Sequence, residues 1–214
     1  MKGFSRSAAV IAASIVAGLL AAGCAPLLVG GAAVGGAMVA SDRRSPGIQL
    51  EDQAIELRIN RALAAKFSRE DANISVTSYN RRVLLTGEVV TEAGKAEAQA
   101  IAEKAENVAG VLNELHVGAL STAANRNFDT ALSTKVRAAL LEAKGVPSGT
   151  IKVVSERSVV YLMGRVTQAE GEAAAHAASR VSGVRQVVKY FDYISEQEAA
   201  ALTPAPPADQ RQRK

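Results

Sequence analysis

The sequence predicts an α+β fold built twice in tandem. Its apolar pattern repeats at a spacing of 77 residues, each copy opens with helical periodicity, and each then switches to strand-like alternation. Placing residue n over n+77 pairs Asp52 with Asp129, Ile55 with Leu132, Ile59 with Val136, Leu63 with Leu140, Ile74 with Ile151 and Val76 with Val153. The register continues through Val83-Leu84-Leu85-Thr86-Gly87-Glu88-Val89, which falls on Val160-Tyr161-Leu162-Met163-Gly164-Arg165-Val166 with the glycine in the same place. Two domains are expected, at 50–119 and 129–194, joined by a linker at 120–128.

Each unit begins with apolar residues at i, i+4 and i+8: Ile55, Ile59 and Leu63 in one, Leu132, Val136 and Leu140 in the other. That spacing makes one stripe on a helix, with Asp52 and Asp129 placed to start it. Two alternating segments follow in each unit, about 73–79 with 82–90 and 150–155 with 158–166. Only a couple of polar residues separate the members of a pair, as in a hairpin. Thr91 and Thr167 open alanine-rich second helices, and Thr167-Gln168-Ala169-Glu170 fits a capping box. Final strands are expected at about 109–117 and 184–194. Each unit therefore reads helix, strand, strand, helix, strand, with its helices packed on a small three-stranded sheet.

Ahead of the repeat, Lys2 and Arg6 precede an apolar run that ends in Leu20-Ala21-Ala22-Gly23-Cys24, which contains the chain's only cysteine. A basic start, an apolar stretch and small residues at the cut have the form of a secretory signal, here 1–23. The run from Ala8 to Ala22 is short of the ~20 residues a bilayer-spanning helix needs. A lone thiol cannot form an internal disulfide. Leu20 to Cys24 resembles the lipobox of bacterial lipoproteins, although the usual leucine position holds Ala21. The resemblance implies that Cys24 is acylated and becomes the mature N-terminus, and Ala25 after it is compatible with outer-membrane sorting. Residues 24–49 then form an acylated, Gly/Ala-rich tether, with Asp42-Arg43-Arg44-Ser45-Pro46-Gly47 marking its exit into water.

The order of elements, the glycine after the second strand and the phrase Val181-Ser182-Gly183-Val184-Arg185-Gln186-Val187 resemble the BON domain. The first unit departs from that phrase at Ala105, Asn107 and Val108 and is included through the register of 77. The combination resembles lipoproteins with two BON domains. It implies a periplasm-facing outer-membrane protein whose second domain binds anionic phospholipid, such as phosphatidylglycerol, through its first helix, and which supports envelope integrity. On this chain that helix is about 129–143, and Phe128, Ala131, Lys135 and Arg137 are the candidate lipid-binding residues. Alternatives are a protein-interaction adaptor docking on outer-membrane assembly or division machinery, and an exported stress chaperone.

Charge agrees with the lipid reading. From 52 to 118 ten acidic residues stand against eight basic, a net of −2, whereas from 129 to 194 six stand against nine, a net of +3. A basic domain on a lipid tether gives a second hold on anionic headgroups. Nothing in the sequence has the form of a catalytic or cofactor site. His116 and His176 stand apart from cysteines and carboxylate clusters, so no metal is expected. With no tryptophan and few other aromatics, no nucleic-acid partner is expected either. The polar, proline-containing stretch 195–214 is expected to be disordered.

Overall fold

The computed structural model describes residues 42–202; the leader, Cys24, most of the tether and residues 203–214 lie outside the described residues. In the first domain the order is α1 (Pro46–Lys66), β1 (Ala72–Tyr79), β2 (Arg82–Val89), α2 (Glu92–Glu103), β3 (Gly110–Asn113) and β4 (His116–Val117). The second repeats it as α3 (Ala123–Glu142), a 3-10 turn (Ser148–Thr150), β5 (Ile151–Glu156), β6 (Val159–Val166), α4 (Gln168–Ser179) and β7 (Gln186–Tyr193), and adds α5 (Glu196–Leu202). The α+β architecture is the one the sequence predicts.

Each sheet has an antiparallel hairpin and a returning parallel strand, with the second strand of the hairpin in the centre. β3 and β4 are one strand with a break. Arg82 lies against Gly110 and Glu88 against His116, so the register is the same on both sides of Glu114-Leu115. A Cβ on Gly164 would come within 2.6 Å of the Thr150 carbonyl oxygen, and one on Gly87 would land on that of Asn73. These paired glycines let the two hairpin backbones approach closely.

The helix starts differ from expectation. Ser45 caps α1, its hydroxyl accepting from the Ile48 N–H, and Thr122 caps α3 in the same way from Asn125. The expected linker at 120–128 is thus largely helix. Asp52 and Asp129 sit inside their helices, buried, with carboxylates facing the hairpin turns. Asp52 accepts the N–H groups of Asn80 (2.8 Å) and Arg81 (2.7 Å), and Asp129 those of Arg157 (2.9 Å) and Ser158 (3.0 Å). All four turn residues have positive φ, between 51° and 64°. Two consecutive such residues suit the twist of a two-residue hairpin but cost non-glycine side chains energy. The buried carboxylate offsets that cost by satisfying both turn amides.

The tail also differs. Residues 196–202 form α5 rather than a disordered segment: Ser195 Oγ accepts from the Glu198 N–H, Glu198 binds Arg165 at 2.5 Å, and Ala199 is buried. Glu196 and Glu198 also favour a helix N-terminus. The proline-rich composition begins only at Pro204.

One apolar core lies between the helices and the sheet of each domain, centred on Ile55, Ile59, Val83 and Leu85 in the first and on Leu132, Val136, Val160 and Leu162 in the second. A third core joins the domains. Tyr79 and Leu84 of the first pack with Val159, Tyr161 and Met163 of the second. The sheet faces turned away from the helices therefore cover each other. The hairpin turn of each domain reaches the far end of the other's sheet: Asn80 Nδ2 donates to Asp192 at 2.8 Å, and Arg157 lies 3.7 Å from Glu88. Lys152 adds a third polar link, to Glu56 at 3.0 Å.

Asp42-Arg43-Arg44, expected to mark an exit into water, instead straps the seam. Arg43 is buried and grips Glu170 of the second domain with both terminal nitrogens, at 2.6 and 2.8 Å. Arg44 turns to the first, binding Asp42 and Asp52 and lying 4.0 Å over the Tyr79 ring. The Tyr79 hydroxyl in turn donates to the Thr150 carbonyl at 3.0 Å. The Arg43 charge, which a linear reading assigns to solvent, is satisfied here by a carboxylate 127 residues away.

Candidate functional site

Helix α3 owes its orientation to Leu132, Val136 and Leu140, which are buried against the second sheet. Residues on the opposite side must then face out. Ala131 and Lys135 are exposed on the face adjoining the buried stripe, one helical turn apart, and Phe128 is 50% exposed at the edge of the same face. The Phe128 ring leans over Gly183, where an added Cβ would lie 3.2 Å from its Cζ. It is anchored at one edge and free at the other. From Phe128 to Lys135 the line is about 10 Å long, at ~1.5 Å per residue.

Arg137, the fourth candidate, lies on the flank. It is exposed, but Nη2 donates to the Val153 carbonyl on edge strand β5 at 3.0 Å. A guanidinium laid on an open strand edge also hinders another strand from pairing there. Lys135 has no hydrogen bond or ion pair among the described residues. The structure thus groups Phe128, Ala131 and Lys135 and sets Arg137 apart.

At the N-terminal end of α3 a depression of about 250 Å³ is lined by Ser121, Asn125, Phe128, Arg157 and Arg185, with Asp129 at its base already engaged by the turn. Its two guanidiniums come from the hairpin turn and from the loop before β7, so it is a tertiary feature. Much of the second domain's positive charge is used elsewhere. Lys152 pairs with Glu56 of the acidic first domain across the seam, Arg165 pairs with Asp192 and Glu198, and Lys189 pairs with Glu172, while Arg157 lies 3.7 Å from Glu88 and still lines the depression.

Arg157 also stands among three carboxylates. Glu88, fully buried, accepts from Asn73 at 3.1 Å and from the Ser121 hydroxyl. Burial acts to raise its pKa, but those bonds and Arg157 together hold it below the usual carboxylate range. Glu156 lacks such donors, and its Oε1 is buried without a hydrogen-bond partner among the described residues. Burial, followed by the charges of Glu88 and Asp129, pushes it up to about 7. This group was missed in the sequence reading because its members belong to different domains. The available signal was a glutamate ending a strand just before the hairpin turn.

His116 and His176 are both exposed, on β4 and in the last turn of α4. Among the described residues no group of three or more His, Cys, Asp or Glu side chains is arranged to hold a metal ion, and no helix is long and apolar enough to cross a membrane. Cys24 lies outside the described residues.

Comparison with known proteins agrees with the duplicated architecture. The BON domain model matches residues 51–119 and 128–194. The chain is 37% identical over 173 residues to the outer membrane lipoprotein DolP of Haemophilus influenzae, covering 80% of this chain and 89% of that protein. It is 32% identical to the 21 kDa hemolysin of Actinobacillus pleuropneumoniae, covering 72% of this chain and 79% of that one. It is also 32% identical to the osmotically-inducible protein Y of Escherichia coli, covering 71% and 77%. With both repeats matched and the helix-strand-strand-helix-strand order seen twice, the chain belongs to the BON domain family and carries two such domains.

Proposed function

We propose that this protein is a non-enzymatic outer-membrane lipoprotein, acylated at Cys24 and facing the periplasm, whose second BON domain binds anionic phospholipid and so supports the integrity of the envelope. The observation that carries the reading is the outer side of α3. Phe128, Ala131 and Lys135 are exposed together there, on the domain with net positive charge, and Arg157 and Arg185 stand at the same end. An aromatic edge beside cations suits the boundary between headgroup and acyl chain. The similarity to a protein named an outer membrane lipoprotein supports the location, and the leucine-to-cysteine phrase at 20–24 supports the anchor.

In this role the acyl chains set the compartment and the basic domain selects the headgroup. One weak anchor joined to a cationic surface holds more firmly than either alone. Cosedimentation of the mature chain without its acyl groups checks the selection. Binding to phosphatidylglycerol vesicles that exceeds binding to phosphatidylcholine vesicles, and that is lost with Lys135→Glu, is expected. Equal binding to both vesicles, or none, sinks the lipid-recognition reading.

A further inference from the structure

Lipid contact on α3 leaves the homologous helix of the first domain without a role, yet α1 exposes more apolar surface. Leu50 is 66% exposed and Leu57 50% exposed, seven residues apart and hence on one side of the helix. Pro46 and Ala64 extend the line, and all four are exposed. The opposite side is used in full, since Ile55, Ile59 and Leu63 are buried in the first core. Helix α1 is apolar on both sides.

Its polar groups are arranged to match. Between Pro46 and Ala64 the outer side carries Gln53 and Arg61 and no carboxylate. The acidic residues of the helix are turned away: Asp52 holds a hairpin turn, Glu51 pairs with Arg58, and Glu56 meets Lys152. An apolar line bearing one cation and no anion suits an anionic lipid surface and needs no desolvated carboxylate.

What selects lipid over another occupant is the place where the chain enters the fold. Arg43 and Arg44 fix that entry to both domains, and Ser45 begins α1 immediately afterwards. Leu50 then lies about 8 Å along the helix from Ser45. A membrane anchor upstream of Asp42 therefore acts on a fixed point beside this apolar line, with no free hinge between the strap and the helix.

We propose that the outer side of α1, centred on Leu50 and Leu57, is a lipid-facing surface of the first domain, held at the membrane by the strapped entry of the tether. The proposal rests on the anchor at Cys24; because the sheets pack face to face, α1 and α3 lie on opposite sides of the molecule, so contact through α1 is a second orientation at the membrane that alternates with contact through α3. The chain contains no tryptophan, so single substitutions make clean fluorescent reporters. Leu50→Trp, Leu57→Trp and, for α3, Ala131→Trp are introduced singly into the full-length acylated protein. Each protein is reconstituted in vesicles of phosphatidylethanolamine and phosphatidylglycerol, with and without brominated acyl chains.

Blue-shifted emission quenched by the brominated lipids at residues 50 and 57 is the expected result, whatever the reporter at 131 does. Quenching at 131 alone overturns this proposal and leaves lipid recognition by α3 standing. A blue shift at 50 and 57 without quenching places a protein, such as a second copy of the chain, on this side, and also overturns it. No quenching at any of the three positions, or a protein that does not stay with the vesicles, overturns both.

Discussion

The fine structure of each domain depends on single buried side chains, with Asp52 and Asp129 the clearest case. Removing Asp129 leaves the amides of Arg157 and Ser158 without their acceptor, in a turn that already holds both residues at positive φ. Asp129→Ala should therefore cost about 2–4 kcal/mol, measured by urea unfolding. A substitution at exposed Thr134 should stay within about 0.5 kcal/mol. Glu156 supplies a second test. Its pKa is raised to about 7 in the folded protein, so the folded state holds that proton more tightly than the unfolded chain. The associated stability is present below the ordinary glutamate range and lost as pH rises through about 7. Glu156→Gln should flatten this component, and the difference in melting temperature between variant and parent should grow from pH 4.5 to pH 7.5. A constant difference would show that Glu156 does not titrate in that window.

At the level of elements, the hairpins depend on close backbone approach. Gly164→Ala would drive a methyl group into the Thr150 carbonyl and should destabilise the second domain by roughly 1–3 kcal/mol, seen as an earlier thermal transition. The glycine was legible in the sequence, because it recurs at the same place in both repeats. So were the helical stripes, whose members Ile55, Ile59, Leu63, Leu132, Val136 and Leu140 are all buried. The helix starts were misplaced for a physical reason. Aspartate accepts an amide hydrogen bond equally well at a helix cap or from a neighbouring turn, and only the fold determines which amides lie within reach. The segment 196–202 was misassigned because its two glutamates and its alanines look solvated until Arg165 and a buried site for Ala199 come into place.

On the scale of the whole molecule, the two domains form one body, because each sheet shields the face the other would expose to water. A charge placed in that seam should separate them. Met163→Asp, buried between the sheets, should convert a single cooperative unfolding transition into two, seen by calorimetry. The strap should contribute in the same direction. Arg43→Ala removes a two-pronged, buried contact with Glu170 and should raise proteolytic sensitivity around Arg44 without unfolding either domain. If cleavage there is unchanged, the strap does not hold the seam. The charge difference between the domains also takes on a structural use, since the basic second domain sends Lys152 and Arg157 to glutamates of the acidic first.

The duplication, the α+β order of elements and the helical stripes of the two domain cores are legible in the linear chain. Each of these is written in local periodicity or in a repeat of constant spacing. That the domains face each other, that the entry of the chain is strapped at the seam, and which cations stay open to a ligand emerge on folding. A hint was present in Val83-Leu84-Leu85 and in Val160-Tyr161-Leu162-Met163, where apolar residues occupy both sides of the strand. Strands buried on both faces read this way, but nothing in a single strand names the partner that covers its second face. For the candidate lipid-binding residues the division is the same. Helical spacing placed Ala131 and Lys135 together on a face adjoining the core stripe, whereas the hydrogen bond that ties Arg137 to Val153 and the arginines gathered beside Phe128 depend on chain segments brought together by folding.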